Sequence, residues 1–440
     1  MPTAAEQVAA RRAQDHAPAA PALIVADASA TAAEPDSAPA PVEMPASAPA
    51  EPSATGSTVV EPTAAERVAR AMTRETASYT EPVAKGWQPL LQRLEKDSRV
   101  RPESLRYFHG LPEYSPAPMG VKIKELFTNA FVRKPPPVDD GRPKPPPSRI
   151  YRSVVTADAM QKTWDYLVKH QDIFDAVEKK YPVPREILGA LLFVETQLGT
   201  YVGKELALWT LASMAAADTP ERMAGGLDGI PITDKHQEWL QGTLTKRSAW
   251  AYNELRALLE YLNTHDLDPF QVPGSVFGAV GICQFMPSNI VPYGEDGDGV
   301  INLFTDPDAI FSAARYLTKH GWSNGLSVDS QRKVLRRYNN LTIYANTILA
   351  LAESVRTGVL QTGPPDTARP AVASKKPADA PKAKASSGAA PSASRTVIVQ
   401  AGDTLYGIAR ANGVSISALQ KANNMGSDTR IRTGQRLIIP

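Results

Sequence analysis

The fold is decided by one stretch, Pro184-Arg-Glu-Ile-Leu-Gly-Ala-Leu-Leu-Phe-Val-Glu-Thr-Gln-Leu-Gly199. Pro184 suits the first position of a helix, where its missing N–H is no loss, and Gly199 suits the residue just past a helix end. The residues between them leave almost no polar face, which predicts a buried helix. Glu195 falls in the last turn of that helix.

Glu195 is the candidate catalytic residue. Apolar neighbours and the partial negative charge at a helix C-terminus both disfavour its carboxylate, so we expect its pKa to be raised. A carboxyl group that keeps its proton near neutral pH can act as the general acid in glycoside cleavage. This helix alone is also consistent with a purely structural role for Glu195, in which the buried carboxyl group only makes hydrogen bonds to neighbouring residues.

The composition of the 440-residue chain excludes several classes of protein. The net charge of +2 gives no reason to expect nucleic acid as a partner. The single cysteine, Cys283, excludes an intramolecular disulfide framework. The six histidines show no metal-ligand spacing, which argues against a zinc enzyme. No run of residues is long and apolar enough for a transmembrane helix.

The N-terminus shows no recognisable signal peptide or lipid-anchor motif. Arg11 and Arg12 are not followed by an apolar segment of the required length, and no cysteine lies near the start. Two islands in this region, Pro2-Thr-Ala-Ala-Glu-Gln-Val-Ala9 and Pro62-Thr-Ala-Ala-Glu-Arg-Val-Ala69, each place Thr three residues before Glu. That spacing is a capping box for a short helix. The duplication indicates either a small docking element or a chance feature of an Ala-rich tail.

Composition divides the chain into four parts. Residues 1–82 are rich in Ala and Pro, which predicts a long disordered tail. Residues 83–360 show helical periodicity and predict a mainly α domain. Residues 361–395 have the composition of a flexible linker. Residues 396–440 combine two strand patterns with two helix starts, which predicts a small βααβ domain.

Two further stretches hold candidate binding residues. Gly274-Ser-Val-Phe-Gly-Ala-Val-Gly-Ile-Cys-Gln-Phe-Met-Pro287 has spaced glycines, which let a backbone approach a ligand or another element. The loop with Asp296-Gly-Asp298-Gly has the spacing of part of a calcium loop. Gly294 stands where such a loop has its first carboxylate, and Thr305 where it has its closing glutamate. An Asp-Gly turn without metal is therefore equally consistent.

Together these stretches resemble the membrane-bound lytic transglycosylase B family, whose members have a lysozyme-like, mostly helical catalytic domain. The resemblance spans Trp87 to Ala352. It is carried by Val194-Glu195-Thr196 with Gly199, Gly274-Ser275, Gly278-Ala279, Gly281, Gln284-Phe285-Met286-Pro287, Gly297-Asp298-Gly299, Ile301-Asn302-Leu303, His320-Gly321-Trp322 and Tyr338-Asn339-Asn340. Similarly, the segment from Gly402 to Pro440 looks like a lysin motif (LysM), a module that binds glycans containing N-acetylglucosamine.

The resemblance implies roles for the matched residues. Glu195 is implied as the sole catalytic acid and base. The residues implied to line the saccharide cleft are Ser275, Gln284, Tyr316, Tyr338 and Tyr344. Those implied to bind glycan in the LysM segment are Gly402, Asp403, Thr404 and Leu405. No cofactor is implied as required. Asp296, Asp298 and Asp308 are candidate calcium ligands, although the departure at Gly294 puts that site in doubt.

The implied reaction is non-hydrolytic cleavage of the MurNAc-β-1,4-GlcNAc bond of peptidoglycan, which leaves 1,6-anhydroMurNAc ends. A glycosidase that uses water or a covalent intermediate generally needs two carboxylates, and the sequence shows one that is well placed. One glutamate suffices if the substrate's own C6 hydroxyl attacks. Two alternatives stay open: a non-catalytic peptidoglycan-binding scaffold, and a hydrolytic muramidase whose second carboxylate lies, for example, between Asp296 and Asp308.

This substrate class also predicts where the protein acts. Peptidoglycan glycan strands are the expected partner, and cell-wall proteins are candidate partners of the two Ala- and Pro-rich segments. A periplasmic or cell-envelope location follows from the substrate rather than from any signal in the sequence. The sequence predicts no particular oligomeric state.

Overall fold

The computed structural model describes the chain in segments, namely residues 63–66, 68, 79, 81–132, 149–265, 267–296, 300–363, 395–400, 405, 408–409, 412, 416–425 and 431–440. Most of the predicted tail 1–82 and of the predicted linker 361–395 lies outside these residues. So do Asp298 of the acidic loop and the LysM residues Gly402, Asp403 and Thr404.

The described part of the chain is mainly helical, which confirms the predicted mainly α fold class. In chain order its α-helices are α1 (Gln88–Lys96), α2 (Ala117–Phe131), α3 (Ala157–Lys169), α4 (Gln171–Lys180), α5 (Arg185–Thr196), α6 (Ala207–Ala216), α7 (Gln237–Thr264), α8 (Pro287–Tyr293), α9 (Asp306–Lys319), α10 (Val328–Tyr338), α11 (Thr342–Thr357) and α12 (Ile416–Ala422). Across the described ranges, no helix has the length and apolar character needed to cross a membrane.

The strands are short and pair two by two. They are β1 (Glu205–Leu206), β2 (Pro273–Gly274), β3 (Arg395–Ile398) and β4 (Arg436–Ile439). β1 pairs with β2 and β3 pairs with β4, both antiparallel. The first pair joins the chain just after α5 to the start of the glycine-spaced loop, because Glu205 lies opposite Gly274.

Tertiary contacts divide the chain into two compact units. The first consists mostly of Ala30–Lys144 and Glu195–Ser312, and the second mostly of Pro145–Val194 and Ala313–Pro440. The boundary falls inside α5. This helix therefore contributes its last two residues, Glu195 and Thr196, to the first unit.

Helix α6 forms the core of the first unit. All 10 of its residues are buried, as expected of a helix that is apolar on every side. The 28-residue helix α7 packs against it. On α6, the Nε1–H of Trp209 donates to the carbonyl oxygen of Glu113 at 3.0 Å, which satisfies the one polar atom of that buried ring.

Helix α11 organises the second unit, and both α3 and α10 pack against it. It ends at Gly358, whose φ of 72° lies in the left-handed region that glycine adopts without strain. Helices α3 and α10 each begin with a hydroxyl cap. Thr156 accepts the N–H of Ala159 at 3.1 Å, and Ser327 accepts the N–H of Ser330 at 3.3 Å.

The C-terminal segment has a small core of its own. The strands β3 and β4 run in register from the pair Arg395 and Ile439 to the pair Ile398 and Arg436. The buried core residues are Val399, Leu405, Ile408, Ala409, Leu419, Leu437 and Ile439. The order β3, α12, β4 agrees with the predicted βααβ pattern, and the predicted start of the first helix lies outside the described residues.

Candidate active site

Glu195 lies in the last turn of α5, and 8% of the residue is exposed. On the same helix Leu188, Leu191 and Leu192 are completely buried. An apolar setting at the C-terminal end of a helix disfavours a carboxylate and favours its protonated form. The burial on which the predicted raised pKa of Glu195 depends is therefore present.

The chain turns sharply directly after Glu195. Helix α5 ends at Thr196, and the next two residues, Gln197 and Leu198, have φ angles of 47° and 60°. These angles lie in the left-handed region, which residues other than glycine rarely adopt. Gly199 follows with a φ of 84°. Three successive left-handed residues thus end the helix within one turn of the candidate acid.

Thr196 ties this turn to a second loop. Its buried hydroxyl donates to the carbonyl oxygen of Ile282 at 2.8 Å and accepts the N–H of Gly199 at 2.9 Å. The carbonyl oxygen of Thr196 accepts the N–H of Tyr201 at 2.9 Å. We did not predict this role, because a threonine at a helix end carries no distinctive sequence signal.

The second loop is the glycine-spaced stretch 274–287. The N–H of Ile282 donates to the carbonyl oxygen of Leu303 at 2.8 Å. Gly281 has a φ of 79°, and a Cβ at that position would lie only 2.4 Å from the Cβ of Leu303. The spaced glycines therefore allow this loop to approach another part of the chain closely, one of the two roles predicted for them.

The loop also fixes the side chains of Ser275 and Gln284. The hydroxyl oxygen of Ser275 accepts the N–H groups of Phe277 at 3.2 Å and of Ala279 at 3.1 Å. Since these bonds use both lone pairs, the hydroxyl proton is what Ser275 can donate to a ligand. Nε2 of Gln284 donates to the carbonyl oxygen of Gly281 at 2.9 Å, which directs its amide within the loop.

Cys283 lies in the same loop, near enough to Glu195 for the two groups to interact electrostatically. Burial raises the pKa of the Cys283 thiol far above its usual range, and the carboxylate of Glu195, when it is ionised, raises it further. The thiol is completely buried and stays protonated at neutral pH, so it is not a nucleophile there. The hydrogen bond from Thr196 to Ile282, the residue before Cys283, holds this part of the loop close to the end of α5.

A second buried carboxylate braces the end of this loop. Oε2 of Glu254, on α7, accepts the N–H of Ser288 at 2.9 Å, and its Oε1 accepts the Ser288 hydroxyl at 2.8 Å. Ser288 lies in the first turn of α8, directly after Gln284-Phe-Met-Pro287. We did not predict this brace either, because one glutamate on a long amphipathic helix resembles an ordinary solvent-facing residue.

The three predicted cleft tyrosines belong to the second unit. Tyr316 and Tyr344 are only 5% and 2% exposed. The hydroxyl of Tyr316 donates to the carbonyl oxygen of Arg337 at 2.7 Å, and its ring packs edge-on against that of Tyr338, with centroids 4.9 Å apart. Tyr338 is half-buried and has the most surface of the three for a ligand. Their saccharide-binding roles stay predictions.

The acidic loop uses one predicted calcium ligand in a structural way. Asp308 is completely buried, and its Oδ2 accepts the N–H of Asn302 at 2.6 Å, which holds the loop against the start of α9. Asp296 is described, and Asp298 lies outside the described residues. In the part of the chain that the structure describes, no three or more His, Cys, Asp or Glu side chains could together hold a metal ion. Calcium binding stays a prediction.

Of the predicted glycan-binding residues of the LysM segment, Leu405 alone lies within the described residues. Its side chain is buried in the core of that segment together with Leu419 and Leu437. A side chain packed in this way supports the fold, so any contact of Leu405 with glycan would have to come from its backbone.

Comparison with known proteins defines the class of both parts. Residues 138–334 match the family model of the transglycosylase SLT domain, and residues 397–440 match that of the LysM domain. These matches confirm the resemblance of the chain to the membrane-bound lytic transglycosylase B family and of its C-terminal segment to the lysin motif. Glu195, Ser275, Gln284 and Tyr316 lie inside the first match.

Particular relatives are similar to parts of the chain. Over 179 residues it is 30% identical to membrane-bound lytic murein transglycosylase B of Escherichia coli (strain K12), covering 40% of this chain and 42% of that protein. The chain thus spans less than half the length of this relative. Over 42 residues it is 57% identical to probable endopeptidase p60 of Listeria welshimeri, covering 10% of this chain and 8% of that protein.

Solved structures also match at low sequence identity. Escherichia coli lytic transglycosylase Slt35 in complex with calcium is 19% identical with a TM-score of 0.43, covering 62% of this chain and 93% of that one. Pseudomonas aeruginosa SltB3 in complex with NAG-anhNAM-pentapeptide is 18% identical with a TM-score of 0.45, covering 63% of this chain and 81% of that one.

Proposed function

We propose that this protein is a lytic transglycosylase that cleaves the MurNAc-β-1,4-GlcNAc bond of peptidoglycan without hydrolysis. The observation that carries the proposal is the buried carboxyl of Glu195 at the end of α5, inside the residues that match the transglycosylase SLT domain. The resemblance to the E. coli murein transglycosylase supports the same substrate class.

Glu195 performs both proton transfers of the reaction. It first donates its proton to the oxygen that bridges MurNAc and GlcNAc, so that the glycosidic bond breaks and GlcNAc leaves with a free hydroxyl. The resulting carboxylate then accepts the proton of the MurNAc C6 hydroxyl while that oxygen bonds to C1. The product is a 1,6-anhydroMurNAc end, and Glu195 is again protonated. The nucleophile is part of the substrate, so no second reactant has to be positioned.

The loop 274–287 supplies polar groups for the saccharide. Ser275 offers its hydroxyl proton to a sugar oxygen, because its own lone pairs are occupied by backbone N–H groups. Gln284 offers its amide oxygen, because Nε2 is held by Gly281. Tyr338 is proposed to add an aromatic contact. These roles orient the glycan, and the chemistry is assigned to Glu195.

The LysM domain is proposed to hold the enzyme on its polymeric substrate, and peptidoglycan strands are its proposed partner. The substrate argues for a periplasmic or cell-envelope location. The Ala- and Pro-rich segments are proposed contacts for cell-wall proteins. No step of the mechanism requires calcium or another cofactor.

The two alternative functions, a hydrolytic muramidase and a glycan-binding scaffold, would leave different products from those of a lytic transglycosylase. A hydrolytic muramidase needs a second carboxylate, and other carboxylates are indeed buried among the described residues of the first unit: Glu254, Glu295 and Asp308. Both oxygens of Glu254 accept bonds from Ser288, and Asp308 accepts the Asn302 N–H, which favours structural roles for these two. A glycan-binding scaffold would leave strands intact.

The test is digestion of purified murein in water enriched in oxygen-18, followed by mass spectrometry of the fragments. We expect 1,6-anhydroMurNAc ends without label. Reducing ends that carry one labelled oxygen would mean hydrolysis, and intact strands would mean a scaffold. Either of these outcomes would overturn the proposal.

A further inference from the structure

A short N-terminal segment is seated on the end of α5. The N–H of Thr63 donates to Oε2 of Glu66 at 2.7 Å, and the hydroxyl of Thr63 accepts the N–H of Glu66 at 3.1 Å. This reciprocal capping box starts the helical turn at 64–66. Ala65, within that turn, is completely buried, and its N–H donates to the carbonyl oxygen of Gly199 at 3.0 Å.

The surface on which Ala65 packs leaves room only for a small side chain. A Cβ on Gly199 would lie 3.0 Å from the Cβ of Ala65 and 3.5 Å from side-chain atoms of Ile282. A helix start leaves its first N–H groups without a partner in the helix, and the carbonyl oxygen of Gly199, just past the end of α5, accepts that of Ala65. We call this surface, formed by Gly199 and Ile282, the Gly199 seat.

The sequence contains the seated segment twice. Pro62-Thr-Ala-Ala-Glu-Arg-Val-Ala69 and Pro2-Thr-Ala-Ala-Glu-Gln-Val-Ala9 differ at one position, where Arg67 in one copy corresponds to Gln7 in the other. The residues that make the contacts described above are present in both, because Thr3, Ala5 and Glu6 correspond to Thr63, Ala65 and Glu66. Residues 2–9 lie outside the described residues.

We propose that the Gly199 seat is a docking site for this repeated motif and that the N-terminal copy, residues 2–9, binds it in exchange with residues 62–69. The occupant is a segment of the same chain, identified by its matching sequence. The seat lies at the turn after Glu195, where the Thr196 hydroxyl bonds both Gly199 and Ile282. Occupancy by either copy therefore stabilises the turn that positions Glu195.

The proposal predicts that the two copies are redundant, which full-length variants can test. Ala5→Glu and Ala65→Glu each place a large charged side chain where the seat accepts only a methyl group. The readout is amide hydrogen exchange at Gly199 and Tyr201, whose N–H groups are bonded to Thr196. We expect either single variant to exchange within about twofold of wild type, and the double variant at least about tenfold faster.

The control is Ala50→Glu combined with Ala65→Glu, which has the same net charge as the double variant but leaves residues 2–9 intact. It should exchange like Ala65→Glu alone. A synthetic peptide of residues 1–12, added to the double variant, should restore slow exchange, and the same peptide with Ala5→Glu should not. If glutamate prevents folding, valine at positions 5 and 65 gives the same comparison with a smaller change.

Two results would overturn the proposal. Exchange in Ala65→Glu as fast as in the double variant would mean that residues 2–9 do not use the seat. Wild-type exchange in the double variant would mean that occupancy does not hold the turn. None of these measurements depends on catalysis, so failure here is separate from failure of the proposed transglycosylase activity.

Discussion

The hydroxyl of Thr196 and the carbonyl oxygen of Ile282 are joined by a buried hydrogen bond of 2.8 Å. Thr196 directly follows Glu195, and Ile282 lies two residues before Gln284. One side chain therefore connects the end of the helix that carries Glu195 with the loop that carries Gln284, a candidate saccharide-binding residue. A geometry held in this way is what proton transfer to a bound substrate requires.

Thr196→Val should lower kcat by about 10- to 100-fold with little change in KM, because the same shape remains but the bond that positions Glu195 is lost. Thr196→Ser keeps the hydroxyl and should restore most of the activity. The measurement is steady-state release of anhydro-muropeptides, with melting curves for each variant. Equal activity of the valine and serine variants would remove the positioning role.

Glu195→Gln should keep the fold and the binding of murein but lower turnover by about two orders of magnitude or more, because the amide cannot donate the proton. Co-sedimentation with murein sacculi measures binding, and release of soluble fragments measures cleavage. Appreciable lysis by the folded variant would show that another group supplies the proton.

Glu254→Ala should destabilise the fold by about 1–3 kcal/mol, because it removes the acceptor of the buried Ser288 N–H and leaves that donor unpaired. Ser288→Ala, which removes only the hydroxyl bond, is the milder companion change. Chemical denaturation measures both. A Glu254→Ala variant that melts like wild type but no longer cleaves murein would instead make Glu254 the missing second carboxylate of a hydrolase.

Calcium and a chelator should leave the melting temperature unchanged, because Asp308 already bonds the N–H of Asn302 and Gly294 occupies the place of a first carboxylate. A ligand that binds only the folded state would raise that temperature. The measurement is a melting curve at millimolar calcium and again with excess chelator. A clear rise with calcium would restore the metal site, and Asp296→Asn should then abolish the rise.

A chain that ends at Leu360 should cleave small soluble muropeptides at nearly the full-length rate but act more slowly on insoluble sacculi. We expect the LysM domain to raise the local concentration of cleavage sites without taking part in the chemistry. Kinetics on both substrates, with sedimentation of the protein with sacculi, test this. Loss of activity on the small substrate would make the LysM domain part of the catalytic cleft.

The sequence predicted helix α5 and the place of Glu195 because both follow from local rules. An apolar run after Pro184 specifies a buried helix, and the last polar residue of that run stands out. The end of the helix was less predictable. Gln197 and Leu198 adopt left-handed angles for which their residue types carry no preference, and the surrounding packing imposes those angles.

Side-chain contacts between segments far apart in the chain could not be predicted from the sequence. Thr196 with Ile282 and Glu254 with Ser288 are pairs whose members have no mutual signal in the chain. The burial of Tyr316 could not be predicted either, because tyrosine suits both a core and a surface.

The left-handed angles near Glu195 also affect how this protein could be engineered. Leu198 and Gln284 hold φ angles of 60° and 49°, which disfavours the folded state by about 1–2 kcal/mol per residue. Glycine would relieve that strain and lose only about 0.5–1 kcal/mol through the freer unfolded chain. A laboratory selection for heat resistance alone would therefore favour glycine at both positions. The selected variants would gain thermal stability but lose the restricted backbone that follows Glu195 and that carries Gln284 in the loop 274–287.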